Sequence, residues 1–202
     1  MRLGLTGGLG SGKSSVAAFF RERGWPTLDM DCVARTITQP GQPAIALVAR
    51  EFGSEILNPD GALDRQAMSR IVFRDDRMRR RLETILHPVI LAKSERWVIE
   101  QARLARPVVV LEIPLLFEVG LEHTVDRIVL VTAPMDVRLQ RLSARGIDPV
   151  DALARIAVQM PDEAKSSRSH FVIENNTSLE ALRVRVDAVA EAILSQRMKS
   201  ET

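Results

Sequence analysis

Short, nearly unbroken apolar runs alternate along the chain with stretches whose apolar residues recur at helical spacing. Residues 2–6 (RLGLT) read as a buried strand that runs into a glycine turn, and Ser14 to Arg23 reads as a helix closed by Gly24. Trp25 to Leu28 reads as a second strand, ending at Asp29-Met30-Asp31. Pro107 to Ile113 (PVVVLEI) and Arg127 to Thr132 (RIVLVT) are β-branched runs of the kind found in parallel strands covered on both faces. His170 to Ile173 is a shorter fifth run. Leu179, Leu182, Val186, Val189 and Ile193 form one apolar stripe of a final helix. The alternation predicts an α/β fold with a doubly wound, mainly parallel five-stranded sheet. Residues 43–105 carry no strong strand signal. There Asn58-Pro59-Asp60-Gly61 reads as a turn, Asp64 and Asp75 as helix caps, and Pro88 as the first turn of another helix. This stretch reads as a helical insertion that covers substrate, within one domain over residues 1–202. Residues 1–42 and 106–202 form its core, and about 134–165 form a small lid.

Composition changes this picture little. The chain has 202 residues, 46% hydrophobic and 27% charged, as in an ordinary globular protein. No apolar run approaches the roughly 20 residues that span a bilayer, and no signal peptide or membrane partner is expected. The single Cys32 excludes an internal disulfide, pointing to a reducing, cytoplasmic setting, and it reads as a small buried hydrophobe. Net charge is +2, and the basic residues are mostly arginines, whose forks suit phosphate oxygens. With no tyrosine and 4% aromatic residues, stacking platforms for nucleic acid are scarce, and no nucleic-acid partner is expected.

The chemistry begins at Gly7-Gly8-Leu9-Gly10-Ser11-Gly12-Lys13-Ser14, which matches G-x-x-x-x-G-K-[ST] between a strand and a helix. Glycines let the backbone curl so that N–H groups converge on phosphate oxygens, and the helix adds the positive end of its dipole. Gly8, Leu9, Gly10, Ser11, Gly12, Lys13, Ser14 and Ser15 are therefore the expected ATP-phosphate contacts. Lys13 would reach the β- and γ-phosphates, and the Ser14 hydroxyl would ligate Mg²⁺. Phosphoryl transfer also needs a group to orient or deprotonate the attacking hydroxyl. Asp29 and Asp31 follow the second strand, at the edge where α/β sheets place ligands. Read on extended backbone, they point to opposite sides and divide the work. Asp31 is the expected base. Asp29 either caps the next helix or reaches Mg²⁺ through water.

GLTGGLGSGKSSVA, DMDCVAR, LDRQAMSRIVFRD, LETILHPVI and VVVLEIPLLFE together resemble the dephospho-coenzyme A kinase family, from Leu3 to about Asn176. The resemblance implies ATP-dependent phosphorylation of the ribose 3′-hydroxyl of dephospho-CoA, the last step of coenzyme A synthesis. It also implies a nucleotide core, a helical CoA-binding part and a small lid. Carried over by residue, it implies Asp31 as base and substrate contacts from Thr6, Arg35, Leu63, Arg65, the His87-Pro88 pair and Pro114. It puts Glu112 beside substrate or Mg²⁺-bound water. Two positions depart from the family pattern. Arg138 stands where a Gln is usual, and Ser169 to Thr177 lacks the usual aspartate and glycine, leaving Asn175 as the candidate adenine contact.

Arg138, Arg141 and Arg145 share one helix face, and Arg141 is the expected lid cation for the transferring phosphoryl group. Arg65, Arg70, Arg74, Arg77 and Arg79 to Arg81 interleave with acidic residues and read mainly as surface pairs, Arg65 excepted. His123 and His170 read as structural. Two rival functions remain to weigh. Another small-molecule P-loop kinase, acting on a nucleoside monophosphate or sugar acid, would not explain the LDR and HPVI segments. A GTP-dependent switch would need an N-K-x-D segment that the chain lacks. A monomer or weak homo-oligomer acting on small molecules is expected.

Overall fold

The computed structural model describes residues 1–72 and 75–200; Arg74 of the second arginine cluster lies outside them. The chain forms two compact units, one comprising Met1–Leu28 with Gln101–Thr202 and the other Asp29–Glu100.

The first unit is built on strands β1 (Arg2–Gly7), β2 (Thr27–Asp29), β3 (Val109–Glu112), β4 (Arg127–Thr132) and β5 (Phe171–Glu174), in the order β2-β3-β1-β4-β5. The pairs β1–β3, β1–β4 and β4–β5 are parallel, with Leu5 opposite Glu112 on one side and Val129 on the other. Central β1 and β4 are buried on both faces, which is why they read as continuous apolar runs. One face packs Leu3, Leu5, Val129 and Val131 against Val16 and Phe20 of α1 (Lys13–Glu22) and Leu182, Val186 and Ile193 of the last helix, α9 (Leu179–Ser200). The stripe of α9 starts one turn later than expected, because Leu179 is exposed. α1 ends in a Schellman turn: Trp25 N–H donates to Phe20 O and Gly24 N–H to Arg21 O. Between β4 and β5 run α6 (Met135–Ser143), α7 (Pro149–Ala157) and α8 (Asp162–Ser166).

The second unit holds α2 (Met30–Ile37), α3 (Pro43–Phe52), α4 (Arg65–Val72) and most of α5 (Asp76–Arg103). Its core gathers Ile45, Val48, Phe52, Ile56, Leu63 and Met68. Asn58 to Gly61 is the expected turn, with Gly61 N–H donating to Asn58 O at 2.8 Å. Asp64 and Asp75 each accept backbone N–H bonds as caps. Pro88 does not start a helix; it lies inside the 28-residue α5, with His87 just before it. A proline there forfeits one backbone bond, to the Thr84 carbonyl. The helix continues because Leu82, Ile85 and Leu86, just before the proline, pack on the unit's core. Two arginines of this stretch pair at the surface, Arg79 with Asp76 and Glu83 and Arg81 with Glu51. Cys32 is exposed rather than buried, on the outward side of a helix whose inward residues are Met30, Val33 and Ile37.

Candidate active site

The glycine loop joins β1 to α1 directly. Gly12 precedes the helix at φ 93°, in the left-handed region that glycine alone enters cheaply, and no side chain caps the helix start. A Cβ at Gly12 would also run into Asn175 Nδ2. The amides of a helix's first turn have no partners within the helix, so an uncapped start is an anion site in waiting. Ser14 is exposed there. Ser11 Oγ is buried without a hydrogen-bond partner in the protein. Lys13 Nζ folds back to donate to Gly7 O at 2.7 Å and Gly8 O at 3.2 Å, bringing its charge over the loop.

A layer of side chains holds the loop by its carbonyls. Arg141 donates to Gly10 O and Ser11 O through Nη1, and to Asn175 O and Oδ1 through Nη2. Burial, and next the Arg145 charge, pull the Arg141 pKa down. Asn175 Nδ2 donates to Ser11 O at 2.8 Å. The Asn175 amide expected to meet adenine thus has both ends committed to the loop and Arg141. Arg138, only 6% exposed, donates from Nε to Leu9 O at 2.7 Å and lies 3.6 Å from Asp162. Leu9 N–H, an expected phosphate donor, donates to Gln159 Oε1 at 2.9 Å. Among the expected loop contacts, Leu9 is therefore an anchored residue rather than an open donor.

Two expected substrate contacts bond to each other: the buried Thr6 hydroxyl donates to Pro114 O at 3.2 Å. Glu112 is buried at the end of β3. A few residues on, Glu118 Oε1 accepts from Met160 N–H and lies 2.7 Å from the fully buried Lys165 Nζ. His170 Nδ1 accepts the Ile128 N–H, a structural role, and burial, followed by the Arg127 charge, lowers its pKa.

In the second unit, the acidic pair is not extended throughout: Asp29 is, but Asp31 is helical. Asp29 closes β2 and caps α2, its Oδ1 accepting from Asp31 N–H and Cys32 N–H. Asp31 is exposed in the first helical turn. Arg35 follows one turn later, and Arg65 Nη2 donates to Thr38 Oγ1 at 3.2 Å. Burial lowers the Arg65 pKa, Arg35 lowers it further, and Asp31 opposes them. Arg65 is therefore close enough to Arg35 and Asp31 to feel both charges. Leu63 sits in the core of this unit, and its N–H donates to Thr38 O. His87 is half-buried in α5.

Sequence reasoning missed Gln159, Asp162 and the Glu118–Lys165 pair. Arg138 was singled out only through the family resemblance, whereas nothing near Gln159 marks it.

A model of the dephospho-CoA kinase family matches residues 1–181. A dephospho-CoA kinase of Anaeromyxobacter dehalogenans is 48% identical over 190 residues, covering 92% of this chain and 88% of the relative. One of Frankia casuarinae is 44% identical over 195 residues, covering 96% and 84%. Among solved structures, a Thermus thermophilus protein superposes with a TM-score of 0.82 at 38% identity, covering 97% of both chains. A shikimate kinase of Acinetobacter baumannii shares the fold, with a TM-score of 0.54 at 18% identity, covering 96% of this chain and 93% of that one.

Proposed function

The chain belongs to the dephospho-CoA kinase family, and we propose that it transfers the γ-phosphoryl group of ATP to the ribose 3′-hydroxyl of dephospho-CoA, giving CoA and ADP. The observation that carries this reading is the Gly7–Ser14 loop running into an uncapped helix, in a chain matched to that family over residues 1–181. Asp31 takes the proton of the attacking hydroxyl, whose oxygen bonds to the γ-phosphorus as the bond to the leaving ADP oxygen breaks. The loop backbone and the first turn of α1 receive the phosphates, and Lys13 turns from the loop carbonyls to the β- and γ-phosphates. Arg141 adds positive charge at the same loop. Arg35 and Arg65 offer guanidinium forks for substrate phosphate oxygens, and desolvation of Arg65 strengthens that attraction.

The exposed Ser14 hydroxyl at the start of α1 would hold Mg²⁺, and the buried Glu112 would reach it through water. When bound with ATP, it would offset charge on the β- and γ-phosphates. Among the described residues, no three His, Cys, Asp or Glu side chains come together as a metal cage. No helix there is long and apolar enough to cross a membrane. The action on a small molecule suits a monomer or weak homo-oligomer in the cytoplasm.

The test is ADP release from purified protein and Mg-ATP with dephospho-CoA, AMP, shikimate or gluconate as acceptor. Turnover with dephospho-CoA far above the others is expected. Turnover with another acceptor and none with dephospho-CoA would overturn the reading.

A further inference from the structure

Leu9 is gripped in three ways by residues about 130 to 150 positions away in sequence. Its N–H donates to Gln159 Oε1 at 2.9 Å, and its carbonyl accepts from Arg138 Nε at 2.7 Å. Its side chain packs on the apolar cluster of Leu142, Ala152 and Ile156, with Leu139 and Ile147 alongside. Gln159 stands just past the end of α7, where its own N–H donates to Ile156 O. Arg138 is buried on α6 and lies 3.6 Å from Asp162 at the start of α8. It passes so close behind the loop that a Cβ at Gly8 would strike its guanidinium. Each of the three helices between β4 and β5 thus supplies or steadies a group that holds this one peptide.

We infer that Gln159 and Arg138 are positioning residues that latch the phosphate loop into its ATP-binding shape through Leu9. A glycine-rich loop has many conformations to lose on binding. Fixing one non-glycine residue at its N–H, carbonyl and side chain removes much of that loss before nucleotide arrives. Where the loop is unlatched, only a fraction of molecules hold the binding shape, and apparent ATP affinity falls by that fraction. Both hydrogen bonds of the latch run to the nucleotide loop, so its effect is read on the nucleotide side. The segment expected to be a lid is bonded to the loop at Gln159 and Arg138.

The inference rests on the loop's reading as the ATP site, and the test separates the two. Mg-ATP binding is measured by calorimetry, and KM for ATP and for dephospho-CoA by ADP release, on the full chain. Gln159→Leu, which keeps length but loses the acceptor, is expected to weaken ATP binding about three- to tenfold, the worth of one net hydrogen bond. Its KM for dephospho-CoA stays within about twofold, and Gln159→Glu, which keeps an acceptor oxygen, restores ATP binding to within about twofold of the unaltered protein. ATP binding by Gln159→Leu within about twofold of the unaltered protein, a Glu variant as weak as the Leu variant, or an equal rise in both KM values would overturn the latch. Should Gln159→Leu fail to fold by circular dichroism, Leu9→Ala carries the test. It leaves both peptide bonds and removes only the side-chain anchor. A selective loss of ATP affinity of about threefold or more supports the latch, and an unchanged affinity overturns it. Failure of the unaltered chain to bind ATP would refute the kinase reading itself, and the latch with it.

Discussion

Lys165→Met probes the polar contact that fastens α8 to the loop after β3. Lys165 is 0% exposed, and its Nζ lies 2.7 Å from Glu118 Oε1 without hydrogen-bond alignment, so the contact acts as an ion pair. Methionine keeps most of the buried volume and removes the charge, leaving the Glu118 carboxylate without its cation. Breaking one side of a buried pair costs about 3–5 kcal/mol. Two features favour the lower end. The Glu118 side chain keeps 18% of its exposure, and its Oε1 keeps the Met160 N–H bond. The expected loss is therefore about 3 kcal/mol of unfolding free energy, read from urea titrations followed by circular dichroism. Adding Glu118→Gln removes the orphaned charge while keeping an acceptor for Met160, and it should recover about half of that loss or more. A loss below about 1 kcal/mol, or a double variant no more stable than the single, would show that the pair is not a buried ion pair of this kind.

Further outcomes follow from the site. Gly12→Ala forces a side chain into a left-handed position and against Asn175, so calorimetry should detect no ATP binding and the melting temperature should fall; tight binding would contradict the loop geometry. Asp31→Asn should lower kcat at least about 100-fold while ATP affinity holds, since only proton transfer is removed; a near-normal kcat would mean Asp31 is not the base. The His170 pKa is lowered in the folded chain below its ordinary 6.5, so the unfolded chain binds the extra proton first. Stability tied to His170 is present above about pH 6.5 and is lost as pH falls through the lowered folded value. His170→Asn should flatten the fall of melting temperature between about pH 7.5 and 5.5, and an unchanged slope would refute the assignment.

The strand, loop and helix expected to receive phosphates were legible because their signals are local. β1, the glycine loop and α1 are contiguous, and a buried parallel strand, a tight turn and an amphipathic helix each leave their own pattern over a few residues. The Asp64 and Asp75 caps were legible for the same reason. Pro88 misled because local backbone preference favours a helix start, whereas packing of Leu82, Ile85 and Leu86 carries α5 through it. Asp31 was placed on extended backbone because Asp29 could extend the strand, yet its carboxylate caps the helix and starts α2 one residue later. The brace behind the loop was not legible. Asn175 carried an expected role only through family likeness, and its bond to Ser11 spans 164 positions. Gln159 lies 150 positions from Leu9, and no spacing rule connects a glutamine after one helix to a loop amide at the other end of the chain.

The most direct measurement of the central claim is the identity of the product. Purified protein, Mg-ATP and dephospho-CoA are incubated, and the product is examined by mass spectrometry and ³¹P NMR. The account predicts one added phosphoryl group, on the ribose 3′-hydroxyl, with one ADP released for each CoA formed. ATP binding with no phosphoryl group transferred to dephospho-CoA, or transfer to a different hydroxyl, would contradict it.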